Sequence, residues 1–166
     1  MPISLPIHSP LLNADFTFGV ATAAFQIEGA NQLDGRIESI WDKFCATPGK
    51  VLNGDDGSIA CDHYHQWQED IALIKSLGVD AYRLSIAWPR IMDQAGNTNP
   101  KGIAFYRNLL SQLKAHNIKT FVTLYHWDLP QHLEDEGGWL NRETAYKFRD
   151  YARVAATELG QWVDVW

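Results

Sequence analysis

Three side chains suited to binding hydroxyl groups follow predicted strands in this sequence. His126 and Trp127 come directly after the apolar run 121–125, and Gln26 follows a predicted strand over residues 17–23. Because the carboxyl ends of parallel strands open onto one cleft, we expect these side chains to share a site. An amide or an imidazole can hydrogen-bond a hydroxyl, and an indole can cover a flat ring. The alternative for Gln26 is a loop amide that satisfies nearby backbone groups.

Charged residues near these positions have different expected roles. Arg83 lies within a second predicted strand, residues 79–86, where an unpaired guanidinium would be too costly to bury. Either a partner comes from another strand, or the side chain extends outward into solvent. Glu28 is interpreted as a structural carboxylate, and Asp128 as a turn cap rather than an acid or base.

The spacing of candidate ligands does not favour a metal or nucleotide site. Asp62, His63 and His65 are close in sequence, but neighbouring positions at the start of a helix face different directions. The glycine-rich motifs that bind dinucleotides and phosphates are not found, nor is the Gly-x-Ser-x-Gly motif of serine hydrolases. We therefore predict no metal.

Composition and charge fit one packed domain with a neutral ligand. The 166 residues are 46% hydrophobic and carry a net charge of −6 without a basic cluster, which does not favour nucleic acid or an anionic membrane surface. No apolar run approaches the roughly twenty residues of a membrane span. Cys45 and Cys61 form no Cys-x-x-Cys motif and predict reduced thiols in a cytoplasmic protein, with a disulfide between them as the alternative. Most of the seven tryptophans are expected in the core.

Three helices are predicted from apolar residues at helical spacing and from their caps. They span about 62–77, 100–116 and 141–160, with Asp62, Asn99 and Asn141 in the capping positions. Asn117 is expected to end the second helix in a left-handed conformation, and the third helix is expected to stop at Gly160.

Each predicted helix is followed at once by a strand-like run, at 79–86, 118–125 and 162–166. Repeated strand-helix units predict an α/β fold with a parallel sheet. A doubly wound sheet and a (β/α)8 barrel share this pattern, and the missing nucleotide motifs weigh against the former. The long turn-rich stretch 25–60 is expected on the cleft face, with a short helix near 39–44.

Six motifs resemble the N-terminal part of a family 1 glycoside hydrolase, of the bacterial β-glucosidase group. In chain order they are residues 18–30, 39–42, 60–65, 82–90, 121–131 and 138–142. The resemblance covers nearly the whole chain after residue 13, and the fixed order of the motifs makes it specific.

The resemblance implies a (β/α)8 TIM barrel that hydrolyses β-glucosides or short β-linked oligosaccharides with retention, without metal or cofactor. Matched by motif, Gln26 and His126 would bind hydroxyl groups of the terminal sugar, and Trp127 would border that subsite. Arg83 would hold the nucleophilic glutamate, which would be its missing partner.

The resemblance implies that the two catalytic glutamates of the family lie outside this sequence. The resemblance places the acid/base glutamate just after the run 162–166 and the nucleophile on a much later strand. We therefore expect residues 1–166 to form one domain, the first half of a barrel with about four strands and three helices, ending in strand 4 and inactive by itself. The alternatives are a sugar-binding module without catalysis, and a half-barrel that assembles with itself or another chain through exposed sheet edges.

Overall fold

A computed structural model describes residues 5–166 and places three short strands in one parallel sheet. The strands are β1 (Gly19–Ala21), β2 (Ala81–Ser85) and β3 (Lys119–Thr123), and they lie side by side in chain order. This arrangement of consecutive parallel strands confirms the repeated strand-helix units that the sequence predicts.

Seven α-helices occur within residues 5–166. They are α1 (Ala24–Ile27), α2 (Ile40–Ala46), α3 (His63–Ser76), α4 (Trp88–Ile91), α5 (Pro100–Ala115), α6 (Gln131–Asp135) and α7 (Arg142–Leu159). The three long helices α3, α5 and α7 are the predicted ones, and α2 is the short helix expected in the long connection.

Side-chain caps fix the starts of α5 and α7. The Asn99 side chain accepts a hydrogen bond from the backbone N–H of Lys101, and the Asn141 side chain accepts one from that of Glu143. Asn117 has a φ of 57° and ends α5 as predicted. The prediction for α3 is wrong in one respect, because Asp62 makes no side-chain cap and instead contacts the His65 ring.

The core lies between one face of the sheet and the long helices. Side chains alternate along a strand, and Tyr82, Leu84 and Val122 point to this face and are buried. Helix α5 packs five residues against them, all buried: Ile103, Tyr106, Leu109, Leu110 and Leu113. Removing one such side chain from water stabilises the fold by roughly 1.5–3 kcal/mol, so α5 is a main anchor of the sheet.

The predicted fourth strand, residues 162–166, is wrong as a strand. Residues Gly160–Trp162 form a 3-10 turn, and only Val165 pairs in parallel fashion with Phe121 of β3. The Val165 carbonyl accepts from the N–H of Val122, and its N–H donates to Thr120. One bridge residue is too short a run for a ladder, although it lies at the place where the fourth strand of the repeat belongs.

The prediction that most tryptophans are core residues is also wrong. Trp88 is buried, but Trp41, Trp127, Trp139 and Trp166 are exposed, and the other two are half-buried. Trp41 lies on the short helix α2, and the other three lie in connections or at the chain end, so none of the exposed tryptophans is on the long helices that fill the core.

Both cysteines are free, which excludes the alternative of a disulfide between Cys45 and Cys61. The cytoplasmic location inferred from them stays a prediction. Within the described part of the chain, none of the helices has the length and apolar character that crossing a bilayer would demand.

Candidate functional site

A cavity of about 280 Å³ opens beyond the carboxyl ends of β1 and β3. Three of the predicted site residues, Gln26, His126 and Trp127, lie in its wall together. The other lining residues are Ala23, Phe25, Trp41, Phe44, Cys45 and Val51. None of the lining residues carries a carboxylate, a lysine or an arginine.

Gln26 is positioned by a short helix rather than by an irregular loop. Helix α1 starts two residues after Thr22, whose N–H donates to the carbonyl of Arg83 at 2.9 Å. The N–H of Ala24 then donates to the hydroxyl of Ser85 at 2.7 Å. These two bonds tie the end of β1 to β2 and fix the turn that carries Gln26 into the cavity wall.

His126 and Trp127 form a sharp corner after β3. The strand ends at Thr123, and the Leu124 carbonyl accepts a hydrogen bond of 2.7 Å from the Tyr151 hydroxyl of α7. Trp127 has a φ of 68°, a left-handed conformation that bulky side chains rarely adopt. The corner exposes 65% of the Trp127 side chain at the mouth of the cavity.

The polar groups of these three side chains are available to a ligand. Within the described residues, neither the Gln26 amide, the His126 ring nor the Trp127 N–H has a hydrogen-bond partner. The alternative, in which the Gln26 side-chain amide hydrogen-bonds nearby backbone groups, is therefore wrong.

An aromatic wall on α2 was missed by the sequence reasoning. Trp41 and Phe44 lie one turn apart on α2, and Trp41 stacks on Phe25 with ring centres 6.0 Å apart. A capping box between Ser39 and Asp42 fixes the start of this helix. Two aromatic residues at i and i+3 next to a predicted cleft were the available signal.

Arg83 lies elsewhere in the sheet. Arg83 is in register with Ala21 on β1 and with Phe121 on β3, which is two residues before the end of β3 at Thr123. It does not line the cavity. Among residues 5–166 the side chain is exposed and no ion pair to it is found, as in the alternative in which it extends outward, and a partner from another part of the family fold stays a prediction. The Arg83 side chain points to the sheet face opposite the helices, because side chains alternate and Tyr82 and Leu84 occupy the helix side.

Glu28 is the structural carboxylate that the sequence analysis expected. It lies in a buried cluster in which Arg90 Nε contacts Glu28 Oε2 at 2.9 Å and the Tyr106 hydroxyl donates to the other carboxylate oxygen. Arg90 also donates to the carbonyl of Gly29 and lies 4.2 Å from the centre of the Tyr64 ring. This cluster ties the segment after β1 to α4 and α5.

Asp128 is a second buried carboxylate, 1% exposed. Its Oδ1 accepts from the N–H of His126 at 3.4 Å, as expected of a turn cap. Burial, followed by the nearby Glu28 carboxylate, raises the pKa of Asp128 to about 7.

The candidate metal ligands point to separate carboxylates. His63 Nδ1 contacts Asp70, and His65 Nδ1 contacts Asp62, each at 2.6 Å. Residues 5–166 contain no group of three or more side chains arranged to hold a metal ion.

The fold and this site define a class of protein: a parallel α/β protein with a polar and aromatic cleft at the carboxyl ends of its strands. The profile described as "Glycosyl hydrolase family 1" matches residues 8–166. The chain belongs to glycosyl hydrolase family 1, whose solved members are TIM barrels.

Three similar proteins illustrate the relation. The chain is 55% identical over 151 residues to a β-glucosidase of Agrobacterium sp., covering 90% of this chain and 33% of that protein. The β-glucosidase of Exiguobacterium antarcticum superposes with a TM-score of 0.91 at 54% identity, over 93% of this chain and 35% of its own. The virulence factor SghA in complex with its substrate analog salicin gives a TM-score of 0.87 at 54% identity, over 90% of this chain and 33% of its own.

The chain thus spans about a third of the length of the relatives it matches. The three strands described above are the corresponding third of their barrel.

Proposed function

We propose that this chain supplies the sugar-binding third of a retaining β-glucosidase. Gln26 and His126 hydrogen-bond hydroxyl groups of the terminal sugar, and Trp127 borders its ring. The observation that carries the proposal is the shared cavity, in which these three side chains have no polar partner among the described residues. An amide and an imidazole without protein partners are suited to groups that both donate and accept.

The lining of the cavity supports a neutral ligand. It contains no carboxylate, lysine or arginine side chain, and its aromatic residues offer flat apolar surface of the kind that covers sugar rings. SghA, a protein 54% identical to this chain, is described with salicin as a substrate analog, and several relatives are named β-glucosidases. We therefore propose a β-glucoside or a short β-linked oligosaccharide as the substrate.

Catalysis with retention requires two carboxyl groups about 5 Å apart across the scissile bond. The two buried carboxylates of the described residues do not qualify, because Glu28 is bound to Arg90 and Tyr106 and Asp128 is closed off from solvent. We propose that both catalytic glutamates belong to the remaining two thirds of the family fold, and that Arg83 supports the nucleophile there.

Two measurements test this proposal. The 166-residue chain is expected to bind methyl β-D-glucoside weakly and to release no nitrophenol from nitrophenyl β-D-glucoside. A chimera in which it replaces the corresponding third of the Agrobacterium β-glucosidase is expected to hydrolyse the same substrate. Turnover by the 166-residue chain, after contaminants are removed, would show that the proposed division of roles is wrong.

Variants of the chimera assign the roles. We expect Q26A, H126A and W127A each to lower kcat/KM about 10- to 100-fold, since each removes a contact of roughly 1–3 kcal/mol with the sugar. The matched controls Q68A, H8A and W139A change exposed residues outside the cavity and should stay within about threefold. Equal losses in both sets would contradict the assignment.

A further inference from the structure

Inside the corner formed by residues 126–128, one side chain, that of Asp128, makes the hydrogen bond to the backbone. Within the described residues, no backbone group of this corner pairs with another backbone group. On one side β3 ends at Thr123, and on the other the Leu129 carbonyl accepts from the N–H of Ile40 at 2.9 Å. Before the corner, the Leu124 carbonyl accepts from the Tyr151 hydroxyl at 2.7 Å. Within residues 126–128, the bond from the His126 N–H to Asp128 Oδ1 at 3.4 Å is the only one found.

The corner contains a strained residue that needs such a restraint. Trp127 has a φ of 68°, and a large side chain in this region persists only where its surroundings enforce the conformation. If the φ angle of Trp127 changed, the indole of Trp127 and the adjacent imidazole of His126 would no longer have their present relative orientation in the cavity wall.

Burying the Asp128 carboxyl group at this position costs free energy. It is 1% exposed, and its Oδ2 has no hydrogen-bond partner among the described residues. Unpartnered buried oxygens are uncommon in folded proteins because they lose water without replacement. Because this unfavourable burial occurs next to two side chains that face the cavity, we infer that Asp128 has a role in the site.

We propose that Asp128 is a positioning residue, whose buried carboxyl group holds the corner at Trp127 and thereby aims the side chains of His126 and Trp127 into the cavity. The consequence for ligand binding rests on the function proposed above. The geometric part, control of the Trp127 backbone by Asp128, does not depend on it.

Ionisation of Asp128 offers a direct signal of this role. The charged and titratable groups that interact electrostatically with the carboxyl are Glu28 at the end of α1, Arg36 in the long connection, Tyr125 after β3 and Tyr151 of α7. Its pKa of about 7 places its titration near neutral pH. The charge on Oδ1 acts directly on the N–H of His126, so this amide reports on Asp128 in the folded chain.

The first test is nuclear magnetic resonance on the 166-residue chain. We expect D128A to change the three-bond coupling between the amide and α protons of Trp127, which reports its φ, because the side-chain hydrogen bond inside the corner is lost. D128N keeps an acceptor oxygen and should retain the wild-type coupling. The matched control D93A removes a different turn-capping carboxylate, one that accepts from Asn97, and should leave Trp127 unchanged. An unchanged coupling in folded D128A would overturn the proposal.

The second test remains decisive if D128A does not fold. In the wild type, the chemical shift of the His126 amide should contain a component that titrates near pH 7 and disappears in D128N. A purely structural role at a distance would not move this signal. If the wild type and D128N show the same pH profile at His126, Asp128 does not control the corner.

Ligand binding links the corner to function. Methyl β-D-glucoside should bind D128A at least about tenfold more weakly than the wild type, and D128N within about threefold. Absence of binding in the wild type would contradict the proposed function, while the Trp127 coupling would still decide on the role of Asp128. Wild-type affinity in a D128A variant with altered coupling would overturn the link to the ligand.

Discussion

Glu28 and Asp128 are both buried carboxylates, but they differ in the hydrogen bonds that they receive. Glu28 receives hydrogen bonds from Arg90 and Tyr106, so its charge is balanced inside the protein. Asp128 has one long bond to a backbone N–H and an oxygen without a partner. Burial near a second carboxylate therefore favours its neutral form, which is why its pKa rises to about 7.

This shift predicts how stability depends on pH. A carboxyl whose pKa is higher in the folded state than its ordinary value of 3.8 binds more protons when folded. Its contribution to stability is therefore complete below about pH 4, declines as the pH rises to 7, and is constant above that. From the size of the shift, Asp128 should lower the free energy of unfolding by roughly 3–4 kcal/mol over this range.

The measurement is urea unfolding of the wild type and D128N at several pH values between about 4 and 8. We expect the wild type to lose stability relative to D128N as the pH rises. D93N is the control, because contacts with Asn97 lower the pKa of Asp93 below its ordinary value of 3.8, so Asp93 titrates below this range and the difference between the wild type and D93N should stay nearly constant. Parallel curves for the wild type and D128N would contradict the assigned shift.

At the scale of elements, the contact between α4 and α5 depends on a glycine. Gly102 lies in the first turns of α5, where a Cβ atom would overlap the carbonyl oxygen of Arg90 at the end of α4. Glycine is usually unfavourable inside a helix, and its use here lets the backbone of α5 approach the residue that binds Glu28.

Alanine at Gly102 should therefore destabilise the fold, although it is the better helix former. We expect G102A to lower the free energy of unfolding by about 1–3 kcal/mol through overpacking. G160A is the matched control, because Gly160 has helical angles and open space around it, and it should be neutral or stabilising by up to about 1 kcal/mol. Thermal unfolding of both variants measures the difference, and a stable G102A would contradict the close approach.

At the scale of the whole molecule, the sheet face opposite the helices is only partly covered among the described residues. Arg83 and Ala21 are exposed on this face, and Val165 and Trp166 are 44% and 47% exposed beside β3. The outer edge of β1 has no partner strand within residues 5–166. Open edges and apolar surface of this kind favour pairing between chains.

We therefore expect the 166-residue chain to self-associate. Sedimentation velocity should show species larger than a monomer as its concentration is raised, because unpaired strand edges act as templates. A lysine at the edge, A21K, should reduce the association, whereas L140K, at a fully exposed position in a 3-10 turn, should not. A monomer at all concentrations would contradict this expectation.

The sequence alone was sufficient for the order of elements and for the residues that meet at the strand ends. Apolar periodicity and the caps at Asn99 and Asn141 are local properties, so the long helices were predictable close to their true ends. Gln26 and His126 both follow strands, and the direction of parallel strands is enough to place them on the same side. Their shared cavity agrees with that prediction.

Tertiary structure decided what depends on contacts between distant segments. The exposure of Arg83 follows from which sheet face the helices cover, and the single bridge at Val165 follows from how far pairing with β3 extends. The raised pKa of Asp128 arises because Glu28, a hundred residues earlier, lies near it in a dry interior. Burial and electrostatic fields are sums over neighbours in space, and no local pattern in the sequence contains them.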